Sequence, residues 1–415
     1  MDILYPDCAG LDIHKKTVVA SRIWQDASGK PQQQTRTFPT MTADLLRLLD
    51  WLEEGQVTHV AMESTGEYWR PVYNLLEGHF ELLVVNAKHV KNVPGRKTDV
   101  KDAEWLAQLL QMGLLKASFV PPAGQRAMRD LTRHRSTFIR ERATLCNRVQ
   151  KVLETANIKL ASVASDVLGV SGRAMLDALV AGESNPEAMA ELARGRLRDK
   201  RPLLEQALCG RVGAHHRFIL GELLCQIDSL DESIARFDAE VAKAMLPLAE
   251  AVELLDTIPG VAQTSAQVIV SEIGTDMSRF PNARHLAAWA GVAPGNHESA
   301  GKRLSGRARQ GNHSLRQILV QAAHAASRTR GTYLSSLFHR LAARRGKKRA
   351  ILAVAHSMVV SIYHMLVRKQ VYNDLGHDYL DQLRPEATAK RLIGRLETLG
   401  FTVTLQPQPQ ADLAA

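Results

Sequence analysis

The stretch Cys8 to Trp24, CAGLDIHKKTVVASRIW, decides how the rest of the chain is read. Leu11 and Ile13 alternate with Gly10, Asp12 and His14, so an extended chain puts the apolar pair on one face and Asp12 on the other. Lys15-Lys16 reads as a turn, and Thr17 to Trp24 is rich in β-formers, so a second strand follows at once. A carboxylate in the middle of so early a strand has two readings. Either Asp12 lies on the wet face of an edge strand, or it awaits a cation and further carboxylates from later in the chain.

Moving outward, Arg36 to Pro39 reads as a third short strand and Met41 to Glu54 as an amphipathic helix. His59 to Glu63 (HVAME) is a short buried strand. Ser64 to Glu67 has the form of a capping box opening a helix through Leu76, and Glu81 to Asn86 (ELLVVN) is another buried strand. Thr98 to Met112 reads as a helix carrying Asp99 and Asp102, with a short strand near Ser118 to Val120. Pro121, Pro122 and Gly124 then mark a boundary. Hairpin strands first, then alternating strands and helices, predict a mixed α/β sheet of the ribonuclease-H type.

Past the boundary the chain is helical. Gln125 to Leu168 contains no Gly or Pro and carries Arg126, Arg129, Arg133, Arg135, Arg140, Arg142 and Arg148, which predicts one long basic helix. After a break around Gly169 to Pro186, with Asn185 as N-cap and Pro186 at the first helical position, a second long helix runs from about Ala214 to Met245. Two such helices suit a projecting antiparallel arm or a plain bundle. Leu254 to Ile273 contains two helical stretches joined by Ile258-Pro259-Gly260-Val261, the pattern of a helix-hairpin-helix turn. Gly260 allows the tight backbone, and free amides face a phosphate at the next helix's N-terminus; a simple packing turn is the alternative. Leu405 to Ala415, with Pro407 and Pro409, reads as a frayed tail.

Charge narrows the partner. Net charge is +10 and the pI is about 9.5, which favours a polyanion. Between Glu298 and Asp374 there is no Asp or Glu, while Lys302, Arg303, Arg307, Arg309, Arg316 and a further run through Arg349 fall inside. An ordinary solvated surface mixes signs, so this segment is expected to face phosphate. Aromatics are only 5%, so backbone contact is favoured over a base-stacking platform. Cys8, Cys146, Cys209 and Cys225 have no paired spacing, which argues against a zinc site or a disulfide framework. No basic, apolar leader is read at the N-terminus, so a cytoplasmic location is expected. The apolar run Ile351 to Leu366 is broken by His356, Ser357, Ser361 and His364 and is shorter than the roughly 20 residues of a membrane span. It is read as a buried helix, and no membrane partner is expected.

Four acids stand out by context: Asp12 on the first strand, Glu63 at the end of a buried strand, and Asp99 with Asp102 on one helix. The last two are three apart and share a helix face. Two magnesium ions roughly 4 Å apart, or Mn2+ in their place, need several carboxylates converging from different elements, because hard cations take oxygen ligands. Each acid also has a structural alternative: Asp99 at a helix start, Glu63 in a wet cleft, Asp102 paired with Lys101 or Arg96. Taken together, in this order on this fold, they point to a metal site.

The runs GLDIHKKTVVA, AMESTGEYW and RKTDVKDAEWLAQLL carry a resemblance, together with IPGVAQTSAQVIVSEIG and HLAAWAGVAPGNHESAGKRLSGRARQGNHSLRQIL. Over nearly its whole length the chain resembles the insertion-sequence transposases of the IS-one-hundred-and-ten family, DEDD-type recombinases. The resemblance implies a RuvC-like catalytic domain over 1–122, a helical coiled-coil linker over 123–250 and a C-terminal transposase domain over 251–404, with 405–415 as the tail. It carries the acid quartet onto Asp12, Glu63, Asp99 and Asp102, and a nucleophilic serine onto Ser299 in HESAG. It also implies an element-encoded guide RNA that bridges donor and target double-stranded DNA.

The chemistry around Ser299 agrees. It lies in a Gly-, Asn- and His-containing loop at the entrance to the acid-free segment, where a hydroxyl attacking a phosphodiester would conserve the bond as a protein–DNA ester. Serine is a weak nucleophile unless a base, a metal or an aligned cation activates it. Magnesium on the quartet is expected to polarise the phosphate while Arg303 and Arg307 hold the transition-state charge. Ser305 is a rival nucleophile, and Ser314 is read as capping a helix that begins at Leu315. The expected activity is a magnesium-dependent DNA recombinase acting as a homodimer or homotetramer, because strand exchange at two sites needs several active centres. A RuvC-like junction nuclease using water, a non-enzymatic nucleic-acid binder and a sugar-kinase-like ATPase are the alternatives. The last wants small phosphate-cradling residues where this chain has His14-Lys15-Lys16.

Overall fold

A computed structural model describes residues 3–26, 29–64, 66–86, 102–295, 297–308, 310–383 and 385–404, with the backbone alone at His297, Ser299, Arg303 and Leu304. The chain divides into two compact units, 1–123 and 124–415.

The first unit is built on a five-stranded mixed sheet in the order β3-β2-β1-β4-β5. Strands β1 (Cys8–Ile13), β2 (Thr17–Gln25) and β3 (Pro31–Pro39) form an antiparallel meander. After helix α1 (Thr42–Glu54), β4 (His59–Glu63) pairs parallel to β1, and after α2 (Trp69–Leu76), β5 (Glu81–Val85) pairs parallel to β4. This is the ribonuclease-H-like arrangement. β1 is therefore central, not an edge, and the wet-face reading of Asp12 gives way.

Two side-chain sets separate across that sheet. Ala9, Leu11, Ile13, Val60 and Met62 pack with Leu45, Leu48 and Leu52 of α1 and with Val72 and Leu76 of α2. Each fully buried leucine of this kind contributes about 1.5–3 kcal/mol over an exposed one, which fixes the strand register. The opposite face of β1 carries Cys8, Gly10 and Asp12, and helix α3 (Asp102–Gln111) lies across it. A Cβ at Gly10 would sit 2.3 Å from the carbonyl oxygen of Ala103 and 2.5 Å from the amide of Ala107. Only a hydrogen fits there, so the helix backbone rests directly on the strand.

Local boundaries differ from the sequence reading in instructive places. The strand expected over Arg36 to Pro39 begins at Pro31, because Gln32 to Gln34 pair with β2 although their polarity hides them. The capping box at Ser64 to Glu67 does not open α2, whose N-cap is Tyr68 with no side-chain cap. In place of a strand near Ser118 there is a single bridge, Val85 to Ala117. The first part of the helix expected over Thr98 to Met112 lies outside the described residues.

The second unit is mostly helical. The long basic helix α4 (Ala123–Thr155) ends where Asn157 turns left-handed at φ 58°, short of the expected Leu168. Val170 to Ala181 forms a helix, α5, inside the expected break. Asn185 does cap the helix after it, accepting from the Glu187 amide with Pro186 in the first turn. Helix α6 (Ala214–Met245) has the expected bounds. Arg135 meets Asp238, Phe138 meets Phe237 and Arg142 meets Asp231, so α4 and α6 run antiparallel. One core gathers 145–230 and another 241–366. The helix Lys347–Arg368 is long and apolar enough by composition to cross a membrane. Its Ile351, Val354, Met358, Val359 and Ile362 are buried in the second core.

Candidate functional site

The acids of the first unit gather by topology. β1 and β4 are paired in parallel up to Leu11 and Met62, so Asp12 and Glu63 are the next residues on neighbouring strands. Both point to the face opposite Leu11 and Met62, the face on which α3 lies. Direction places Asp102 there too. The amide of Leu4 bonds to Gln111, the Cys8 thiol reaches Ala107, and Gly10 lies under Ala103 and Ala107. Helix α3 therefore runs against β1, and its first residue, Asp102, is delivered towards Asp12. All three acids are half-buried. His14 Nε2 is 3.1 Å from Asp12 Oδ2.

Asp99 lies outside the described residues. Among the described residues, no group of three or more His, Cys, Asp or Glu side chains is assembled into a metal site. The three located carboxylates lie toward one end of one sheet face, and carboxylate oxygens are the donor type a hard divalent cation takes. Cys8, four residues before Asp12 on the same face, is inert: burial pushes its thiol up to about 12. All four cysteines are free.

The serine lies in the second unit, on a two-stranded hairpin. β6 (His297–Ser299) and β7 (Lys302–Ser305) pair with Ser299 opposite Lys302, and Ala300-Gly301 make the turn with φ 49° and 74°. Both signs are those of a type I′ turn. Alanine in that conformation costs about 1 kcal/mol, so the turn immediately after Ser299 is strained. The base of this loop is fixed by two glycines. A Cβ on Gly295 would meet the Arg307 carbonyl oxygen at 2.1 Å, and one on Gly311 would meet the Gly291 amide at 2.3 Å.

The predicted nucleic-acid contacts fall as follows. Lys302 and Arg307 are exposed, Arg316 is half-buried, Arg303 lies opposite Glu298 on the hairpin, and Arg309 lies outside the described residues. Gly260 joins helices Ala249–Asp256 and Gln263–Ile273 at φ 86°, and a Cβ there would touch the Ala326 amide at 2.4 Å. The close approach it permits is to the helix His313–Ala326. Arg344, Arg345, Lys347, Lys348 and Arg349 are all exposed where two helices meet at Gly346. Three cations in the first turn of Lys347–Arg368 oppose that helix's own field, a cost that a bound phosphate would relieve. Arg340 is different: Asp381 and the Leu380 carbonyl hold it.

Two residues went unnoticed in the sequence. Glu272, fully buried, accepts from Arg133 Nε at 2.7 Å and Arg133 Nη2 at 2.9 Å, and from Asn312 Nδ2 at 2.7 Å. Asn312, not Ser314, caps the helix His313–Ala326, its Oδ1 accepting from the Leu315 amide. An isolated acid in VIVSEIG was the available signal for Glu272, and GNHS was the signal for the cap.

A family model described as "Transposase", of the DEDD IS110 type, matches residues 9–158, and one described as "Transposase IS116/IS110/IS902 family" matches 252–339. The first range contains all four candidate acids and the second contains Ser299. The chain belongs to the IS110 family of transposases. Among its relatives is a "Probable family 20 transposase" of Pseudomonas aeruginosa, 26% identical over 75% of this transposase and 85% of that protein. Another is the "Transposase for insertion sequence element IS1111A" of Coxiella burnetii, 24% identical over 70% of this chain and 72% of that one. A solved structure, "T. thermophilus RuvC in complex with Holliday junction substrate", is matched with 14% identity and a TM-score of 0.20 over 27% of this chain and 99% of that one, a likeness too slight to argue from.

Proposed function

We propose that this transposase cuts and rejoins DNA strands through a serine ester, with divalent magnesium held by Asp12, Glu63, Asp102 and Asp99. The observation that carries the proposal is the placement of Asp12 and Glu63 on neighbouring strands, and of Asp102 at the start of the helix laid over the same sheet face, in a chain of this family. When bound, the cation would supply charge to the phosphate oxygens and to the leaving oxygen. The chain's own groups do the rest. The Ser299 hydroxyl forms a bond to phosphorus as a phosphorus–sugar oxygen bond breaks, and its proton passes to the departing sugar oxygen. A hydroxyl end from a second strand then attacks the ester, forming its own bond to phosphorus as the serine oxygen leaves, and its proton passes to that serine oxygen. Lys302, Arg303 and Arg307 balance phosphate charge along the hairpin. Exposed cations from Arg344 to Arg349 hold duplex backbone.

On the family's account the partners are double-stranded donor and target DNA and an element-encoded guide RNA, with the protein acting as a dimer or tetramer in the cytoplasm. The test is denaturing electrophoresis of protein incubated with labelled DNA, purified RNA and Mg2+. A covalent adduct is expected from the wild type, and none from Ser299→Ala or after chelation. Cleavage retained in Ser299→Ala without any adduct would replace this reading with a water-using nuclease. Rearrangement intact in Asp12→Asn and Glu63→Gln would leave only a binder. Nuclease-treated protein that still selects its target would remove the RNA guide, and a monomer mass by light scattering with nucleic acids bound would remove the oligomer.

A further inference from the structure

The Ser299 hairpin is tied to the long helix α4 through a single buried carboxylate. Glu272 sits in helix Gln263–Ile273 with no exposed surface. A charge taken fully out of water costs several kcal/mol unless partners surround it, and here they come from two directions. From α4, Arg133 grips both carboxylate oxygens and Arg129 Nε stands 3.4 Å from Oε2. From the other side, Asn312 Nδ2 donates to Oε2 at 2.7 Å. Asn312 is the residue on which the serine loop ends. Its amide donates to the Trp289 carbonyl at 2.9 Å, next to Gly311 packed on Gly291, and its Oδ1 caps the following helix. Arg129 completes the circuit by lying 5.7 Å over the Trp289 ring.

We propose that Glu272 is a positioning residue for the serine hairpin, holding its C-terminal leg through Asn312 and keying that leg to α4 through Arg129 and Arg133. The proposal deepens the reading of Ser299 as nucleophile and rests on it for its catalytic consequence. Its structural content stands apart: without the Asn312 amide group the cap and the helix remain, but the loop loses its tie. Serine caps a helix about as well as asparagine, so Asn312→Ser separates capping from tethering.

The experiment compares full-length wild type, Asn312→Ser, Glu272→Gln, Asn312→Asp and the double variant Glu272→Gln with Asn312→Asp. Hydrogen exchange of the DNA-free protein is read over 297–305 and over 263–273. In Asn312→Ser the hairpin amides are expected to exchange about tenfold faster than in wild type, with 263–273 and the melting temperature unchanged. Asn312→Asp, which keeps a capping oxygen but sets two carboxylates together, is expected to loosen the hairpin further. The double variant reverses donor and acceptor between positions 272 and 312 at constant charge, leaves Arg133 one acceptor, and is expected to restore part of the protection lost in Asn312→Asp. With DNA, the rate of serine adduct formation is expected to fall about 100-fold in Asn312→Ser at unchanged DNA affinity.

Hairpin exchange equal to wild type in Asn312→Ser overturns the tether, as does acceleration spread evenly over the whole second unit. If Glu272→Gln does not fold, Asn312→Ser decides alone. A wild type that forms no adduct at all sinks the serine reading, while the exchange measurement still judges the tether.

Discussion

The acid-bearing face of the first unit and the serine hairpin of the second are held in place by opposite means. The acids sit on the central strands of a five-stranded sheet, under a helix brought to backbone contact by Gly10. Apolar packing on the far face locks their register. The hairpin has two short strands and a strained turn. Glycine contacts at its base and a buried ion network hold it. The first region is a rigid platform, suited to the cation proposed for it. The second is a small projection whose position depends on a few polar contacts, suited to a group that must reach a scissile phosphate.

The largest expected effect tests the chemistry assigned to each region. Asp12→Asn and Ser299→Ala should each reduce strand transfer at least about 1,000-fold, in the first case with DNA binding intact. A single-turnover cleavage assay beside a filter-binding titration separates the two. Gly10→Val comes next. It forces α3 off the strand and should destabilise the chain by about 3 kcal/mol or more, read as a lower denaturant midpoint. Gly295→Ala attacks the other region, where the added methyl must displace Arg307. Cleavage should fall about 100-fold with little change in melting, because a projecting loop can move without unfolding the core. If Gly10→Val instead melts like wild type and Gly295→Ala unfolds the protein, the contrast between platform and projection is wrong.

Smaller effects sharpen the contrast. Ala300→Gly removes the left-handed strain beside Ser299 and should stabilise the hairpin by less than about 1 kcal/mol, visible as slower exchange at 299–302. The smallest lies where α5 meets α6. Hydrogen bonds from Arg173 hold the Asp228 carboxyl below its usual range. A depressed value means the stabilisation is present above about pH 4 and is lost as the pH falls through the folded value. Asp228 is half exposed, so screening leaves about 0.2–1 kcal/mol. Wild type should melt slightly above Asp228→Asn at pH 7 and level with it at pH 2.

Much of the first unit was legible because its signals are local. Alternation around Asp12, the β-formers of β2, the short apolar run of β4 and the proline boundary each need only neighbouring residues. The bounds of α6 and the Asn185 cap were legible for the same reason. What escaped depends on partners distant in sequence. β3 is polar and became a strand through pairing with β2, and Gly10 matters because Ala103 arrives above it. The capping pattern at Ser64 to Glu67 lost to the turn that carries the chain away from β4. At the serine loop, the basic run was legible by composition and Ser299 was picked out through the family resemblance, while Glu272 looked like one more acid on an apolar helix. Its importance exists only once Arg133 and Asn312 converge on it.

Position 10 bonds to no ligand and takes no part in any reaction step, yet every alternative to a bare hydrogen would lift the overlying backbone. A saturation library screened for activity should therefore find it among the least forgiving codons of the gene, level with the acids themselves. What selection would guard at that point is a spacing between two main chains, and the chemistry two residues further on depends on that spacing.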